Sequence, residues 1–173
     1  MLKIIISIIA SAGLVCLSWK SLRNPHYHGF YRFFAFEFLL ILVLLNADPW
    51  FHDPCSGLQI ASWLLLLSSL ILAIHGFYMI RMAGKPIGGF DNTTTMIVHG
   101  AYKYIRHPLY STLLLGGGGV FLKNPSPLGG ILFLLVYAAV FATAKAEESE
   151  NLKKFADYES YIKKSKMFIP FLF

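Results

Sequence analysis

The chain has 173 residues, 56% of them hydrophobic and only 14% charged, with a formal net charge of +6. A soluble domain of this length seldom carries so much apolar surface, and continuous rather than alternating apolar runs argue against a β-barrel. A nucleic-acid partner is not expected, because the basic residues gather at one set of run ends instead of forming a stripe.

A transmembrane helix needs roughly 20 mostly apolar residues. Leu2–Trp19, Phe30–Leu45, Leu58–Ile80, Leu109–Leu122 and Leu128–Ala144 meet or approach that length. They predict an all-α integral membrane bundle of about five transmembrane helices, forming one domain over residues 1–173. The second and fourth runs are short and must borrow interfacial residues at their ends. Leu2–Trp19 has only Lys3 as a leading charge and no convincing small-residue cleavage site, so it reads as an uncleaved helix rather than a signal peptide.

Lys20, Arg23 and Arg32 flank the first connection, whereas the second carries Asp48 and Asp53 and no base. Arg81, Lys85, Lys103 and Arg106 lie in the third, and Lys145, Lys153, Lys154, Lys163, Lys164 and Lys166 follow the last run. Only Lys3 and Lys123 remain for the other side, so the positive-inside rule places the N-terminus outside and the C-terminus in the cytoplasm. The C-terminal lysines suit anionic headgroups, which makes membrane lipids expected partners. Cys16 and Cys55 should not meet, and the histidines lack ligand spacing, so neither a disulfide nor a metal site is expected.

The longest polar connection, Arg81–His107, contains Gly84, Pro86, Gly88, Gly89 and then Asp91-Asn-Thr-Thr-Thr95. Connections of this length are uncommon unless they are functional. Pro108 suits the first position of a helix. The run Gly116–Gly119 reads as a close helix contact, since small residues let backbones approach in lipid. Asn124-Pro-Ser-Pro127 makes a tight turn, so the last two spans form a hairpin that returns Tyr102–Tyr110 and Glu147–Glu148 to one face. Beyond Ala144, Leu152, Phe155, Tyr158, Tyr161 and Ile162 alternate with charges at helical spacing, predicting an amphipathic surface helix. Its end, Met167–Phe173, is too short to span and is expected to dock at the headgroup boundary or to close over a site.

The chemistry-bearing residues converge at that face. Glu147 and Glu148 suit an ammonium group or ribose hydroxyls, and Tyr102, Tyr104 and Tyr110 offer stacking faces with hydroxyls. Arg106 and His107 stand at the helix start; Arg81 is a candidate for orienting an anionic substrate. Glu37 and His75, the ionisable groups nearest the membrane interior, are candidates for facing a substrate cavity.

Gly100-x-Tyr-x-Tyr-x-Arg-His-Pro-x-Tyr110, followed by Glu147-Glu148, Phe155, Tyr158, Tyr161 and a terminal Ile-Pro, resembles the isoprenylcysteine carboxyl methyltransferase family, itself related to phospholipid N-methyltransferases. The resemblance covers about residues 85–173. It implies S-adenosylmethionine as cofactor, held at the cytoplasmic end of the last hairpin under a C-terminal cap, with a lipophilic small-molecule substrate arriving from the lipid. It further implies that Gly100, Ala101, Tyr102 and Tyr104 approach the cofactor, that His107 and Tyr110 line its pocket, and that Arg106 contacts cofactor or carboxylate. One of Glu147 and Glu148 would hold the amine or ribose. Ala101 and Ala156 depart from the family's usual proline and glycine. A monomer or homodimer is expected. Two alternatives are an NADPH-dependent reductase of the related sterol reductase group, which shares an Arg-His-Pro-x-Tyr signature, and a non-catalytic membrane scaffold.

Overall fold

A computed structural model of the protein describes residues 1–87 and 92–172; Gly88, Gly89 and Asp91 of the long connection and Phe173 of the tail lie outside the described residues. The described chain is helical: α1 (Leu2–Leu22), α2 (His28–Leu45), α3 (Gly57–Met79), α4 (Pro108–Phe121), α5 (Pro127–Lys154) and α6 (Tyr158–Lys164). A π-helical turn, Ile80–Gly84, extends α3, and a 3₁₀ turn, Gly100–Lys103, precedes α4.

The helix starts follow from local chemistry. Ser56 Oγ accepts the Gln59 N–H at 3.3 Å to cap α3, and Ser126 Oγ accepts the Gly129 N–H at 3.1 Å to cap α5. Pro108 and Pro127 occupy the first helical positions of α4 and α5, where a missing N–H costs no hydrogen bond. The first residue of α2 is satisfied from afar, because Glu150 on α5 accepts the His28 N–H at 2.9 Å.

Four helices (α1, α2, α3 and α5) are long and apolar enough to cross a membrane. The remaining expected span, α4, has 14 residues. At about 1.5 Å per residue that is about 21 Å, short of the hydrocarbon thickness of about 30 Å. It lies inside the bundle, with Ser111, Thr112, Gly117, Gly119 and Val120 buried. The main packing pairs are α2 with α5 and α3 with α4, and the α4–α5 hairpin joins the two pairs. α1 packs along α2 and buries no residue of its own.

The glycine run serves helix contact, and α4 stays regular through it. Ser62 Oγ–H donates to the Gly119 carbonyl at 2.7 Å, and Ser69 Oγ–H to the Thr112 carbonyl at 2.9 Å. A Cβ on Gly119 would stand 2.8 Å from Leu66 Cγ and 3.0 Å from the Ser62 carbonyl oxygen. This is small-residue packing reinforced by hydroxyl donors.

One end of the bundle is held by the contacts of two lysines. Lys3 meets Asp48 at 2.6 Å. The buried Lys123 ammonium lies 3.7 Å from the Trp63 ring centroid and donates to Gln59 Oε1 at 3.0 Å. Gln59 returns an N–H to the Lys123 carbonyl at 2.9 Å. The tyrosines, Arg106, His107 and both glutamates stand at the other end.

Replacing Gly119 by Val should cost about 1–3 kcal/mol through overpacking of α3 against α4. Gly116→Ala, whose added carbon meets only Ser69, with Oγ at 3.2 Å, should cost far less. Thermal unfolding midpoints in detergent compare the two; equal midpoints would show that the Gly119 contact is not tight.

Candidate functional site

The hairpin brings the two motifs together as the sequence predicts, but on a differently drawn scaffold. In place of a separate amphipathic helix after Ala144, α5 continues without a break to Lys154, and Phe155 ends it in an extended conformation. No glycine or proline interrupts residues 144–154, and Glu148 on this stretch is buried and paired with Arg106, just before α4. The surface helix is reduced to the seven residues of α6.

The tail divides, its first two residues entering the core while Ile169, Phe171 and Leu172 are exposed. Met167 and Phe168 are buried in the core with Ala35, Tyr110, Val136 and Val140. The backbone just before them pairs with the Arg-His segment. Lys166 N–H donates to the Tyr104 carbonyl at 2.9 Å, Arg106 N–H to the Lys166 carbonyl at 2.8 Å, and His107 N–H to the Met167 carbonyl at 3.2 Å. Ser111 Oγ–H adds a bond of 2.8 Å to the Phe168 carbonyl. The tail is therefore a strap across the helix start.

Arg106 is fixed on two sides. Its Nε donates to Glu148 Oε1 in a short contact, and Nη1 donates to the Ser165 carbonyl at 2.9 Å. Lys145 reaches the other Glu148 oxygen at 3.0 Å. The buried His107 ring stacks on Tyr110, with centroids 5.5 Å apart, and leans on Phe168. Its Nδ1 is 3.9 Å from Glu147 Oε2, and its Nε2 is 3.5 Å from Glu148 Oε1 without a hydrogen bond. Glu147 and Glu148 thus divide their tasks: one borders open space, the other closes an ion-pair cluster.

Upstream, Gly100 has φ of +59°, and a Cβ there would lie 2.5 Å from His75 Nε2. Only glycine fits that turn without strain. Ala101 N–H donates to His75 Nε2 at 3.1 Å, so His75 holds the turn from α3. Tyr161 Oη–H on α6 donates to the Tyr102 carbonyl at 2.6 Å. Burial pushes the Tyr102 phenol upward, helped by the Glu147 carboxylate, and burial does the same for Tyr161. Both phenols therefore stay protonated donors at neutral pH.

Beside these parts lies a cavity of about 240 Å³. Of the sequence candidates, Tyr102, Arg106, His107, Tyr110 and Glu147 line it. Gly100, Ala101, Tyr104 and Glu148 do not border the cavity: the first two shape the turn, Tyr104 is exposed beside Phe171, and Glu148 braces Arg106. Arg81 is exposed on the π-helical turn and is not among the lining residues. Neither Glu37 nor His75 reaches the cavity: Glu37 accepts a bond from Ser11 on α1 at 2.8 Å, and His75 serves the Gly100 turn.

The lining also contains residues the sequence reasoning did not single out for the site. Asn151 follows Glu147 by four residues on the same face of α5, and Phe155 caps that helix. Thr93 and Ile97 come from the long connection, and Arg32 and Phe36 come from α2. A cation one turn from a phenylalanine within an apolar helix was the available signal for the last two.

The helical hairpin, with its Arg-His-Pro start, glutamate pair and strapped cavity, defines a class of helical membrane proteins whose site lies at one end of the bundle. The phospholipid methyltransferase family model matches residues 58–157, more than half of the chain, and the chain belongs to that family. It is similar to a probable protein-S-isoprenylcysteine O-methyltransferase of Oryza sativa subsp. indica and to one of subsp. japonica. Each is 26% identical over 121 residues, covering 64% of this chain and 63% of the relative. The match thus spans less than two thirds of the length of those relatives. No solved structure matches the chain.

Glu148→Ala should strand the Arg106 guanidinium and cost about 3–5 kcal/mol, the penalty for breaking one side of a buried pair. Thermal unfolding in detergent checks this; an unchanged midpoint would mean that the pair carries no structural weight. Alkali should act on α6 next. The Tyr158 phenol is pushed up to about 12, chiefly by burial. A folded-state value above the ordinary value of about 10 means that stability is intact below about pH 10. It is then lost as the pH rises toward about 12. Phenolate absorbance should show Tyr158 ionising late and together with unfolding.

Proposed function

We propose that the protein transfers a methyl group from S-adenosylmethionine to a lipophilic, membrane-delivered acceptor at the cytoplasmic membrane face. In this reading the N-terminus is outside, the C-terminus is cytoplasmic, and the working unit is a monomer or homodimer with no nucleic-acid partner. The observation that carries it is the convergence of Tyr102, Arg106, His107, Tyr110 and Glu147 on one cavity at the end of the bundle that carries the basic connections.

The donor set fits such a cofactor. Glu147 offers a carboxylate for an α-ammonium, Tyr102 and Asn151 offer hydroxyl and amide groups, and Ile97, Met96 and Phe155 offer apolar walls for an adenine. His107 adds a buried ring to the lining, with Nε2 3.5 Å from Glu148 Oε1. When bound, S-adenosylmethionine supplies an electrophilic sulfonium methyl.

The chain's own residues do the rest by alignment and exclusion of water. Arg106 cannot swing, because Glu148 and the Ser165 carbonyl hold it, so it presents a fixed positive edge to the cavity. A carboxylate acceptor needs no general base, only desolvation and such a cation. A thiol or amine acceptor needs a proton removed, a role within reach of His107. The isoprenylcysteine O-methyltransferase names of the rice relatives favour the carboxylate.

Calorimetric titration with S-adenosylhomocysteine should show saturable binding to the wild-type protein in detergent and none of NADPH. Glu147→Gln should weaken that binding about ten- to a hundredfold, the worth of a hydrogen bond to a charged group. Wild-type affinity in the folded Glu147→Gln variant would remove the carboxylate from the cofactor site. Binding of NADPH alone would make the protein a reductase.

A further inference from the structure

The core accounts for only half of the apolar tail. Beyond the buried Met167 and Phe168, Ile169, Phe171 and Leu172 are 51%, 82% and 79% exposed. Such exposure is ordinary on α1 or α3, whose outer faces meet hydrocarbon, but these residues follow the last helix. They are nevertheless held in place. The Leu172 N–H donates to the Ile169 carbonyl at 3.3 Å, and the turn so closed puts Phe171 at φ +66°. A bulky residue takes that left-handed conformation at a cost. There the centroid of the Phe171 ring is 6.0 Å from that of Tyr104, a ring that is itself 47% exposed.

Basic side chains adjoin this pair. The Lys103 ammonium lies 5.6 Å from the Tyr104 ring centroid. Lys164 and Lys166 are exposed, and the Lys166 backbone is bonded on both sides to residues 104–106. Glu159 matches Lys163 at 2.9 Å, whereas among the described residues no ion pair engages Lys103, Lys164 or Lys166.

The depth of the cluster follows from the turn before it. Gly100, four residues before Tyr104, rests on the end of α3: a Cβ there would stand 3.4 Å from Sδ of Met79. Met79 ends a helix of 23 residues, which is about 35 Å long at about 1.5 Å per residue. A hydrocarbon layer of about 30 Å is exhausted at that level. Rings that settle among headgroups and lysines that reach toward phosphate are the side chains a bilayer edge favours. The unmatched charge of this face is positive, and an anionic headgroup supplies its complement.

We propose that Lys103, Tyr104, Lys164, Lys166, Phe171 and Leu172 form a docking face for anionic lipid headgroups at this end of the bundle, and that docking tightens the tail strap. The link is short. Lys166 N–H donates to the Tyr104 carbonyl and the Lys166 carbonyl accepts from Arg106, so a residue that meets the headgroups also closes two of the strap's backbone bonds. The strap holds Arg106 and His107, which border the cavity. Lipid charge thereby sets how firmly one wall of the cavity is held, whatever the cavity binds.

The test places the full chain in nanodiscs of phosphatidylcholine alone, or of equal parts phosphatidylcholine and phosphatidylglycerol. Backbone amide exchange is followed by mass spectrometry in the peptides that carry residues 104–107 and 165–168. Anionic lipid should slow exchange there at least about fivefold, the worth of one lysine near an anionic surface. A triple variant, Lys103→Gln with Lys164→Gln and Lys166→Gln, should exchange equally in both lipids while keeping the wild-type thermal midpoint. About 1 M salt, where the screening length is about 3 Å, should erase the wild-type difference as well. Equal exchange of the wild-type strap in both lipids would overturn the proposal, as would a difference that survives the triple substitution in the folded protein. If the triple variant unfolds, the salt titration decides: a difference lost at high salt supports the face, and one that persists overturns it. Protection found in native membranes but in neither nanodisc would point to a protein partner and overturn it too.

Discussion

The pair between Arg106 and Glu148 is the constraint on which the rest of this end of the molecule depends. Neither charge can sit at a bilayer edge among apolar helices unless the other answers it. Meeting that demand fixes where α5 must stand relative to the start of α4, because Glu148 is deep in one helix and Arg106 just precedes the other. The same guanidinium draws in the Ser165 carbonyl, which brings the tail into register along residues 104–107. Met167 and Phe168 can then enter the core. A single charge match thus organises a helix start, a helix end and a strap.

From this follows a division between groups that build the cavity and groups that face it. The two adjacent glutamates are chemically identical, and helical geometry alone turns them about 100° apart. One is committed to the ion cluster and the other borders open space. The tyrosines divide likewise: Tyr161 holds the Tyr102 carbonyl, while Tyr102 itself borders the cavity. His75 acts at one remove, supporting a turn that only Gly100 can make.

Much of this was legible in the residues because membrane helices announce themselves by long apolar runs and tight turns by proline. The hairpin, the helix start at Pro108, the packing role of Gly116–Gly119 and the meeting of Arg106 and His107 with the glutamates all follow from local signals. What was not legible depends on packing between distant elements. The unbroken α5 was hidden because a helix emerging from an apolar core into a charged stretch looks, by composition, like two helices. The burial of Met167 and Phe168 was hidden because a short apolar tail suits a headgroup boundary and a protein core equally well. Arg32 reads as an interfacial charge until α2 is laid against α5, and that register is set by a contact between residues 122 positions apart.

The brevity of α4 carries a consequence for where reactants of opposite solubility can meet. A helix about 21 Å long inside a hydrocarbon layer of about 30 Å cannot reach both edges. Packed among longer helices and tied at its far end to the Lys123 turn, it leaves its deficit at the Arg-His end. In the proposed reading the floor of the cavity then sits below the membrane edge, as a well sunk into the bilayer. A water-borne molecule descends into such a well along its polar side, and a lipid-dissolved one enters it sideways without leaving its own depth. Fourteen residues where twenty would span bring two phases into contact at one point.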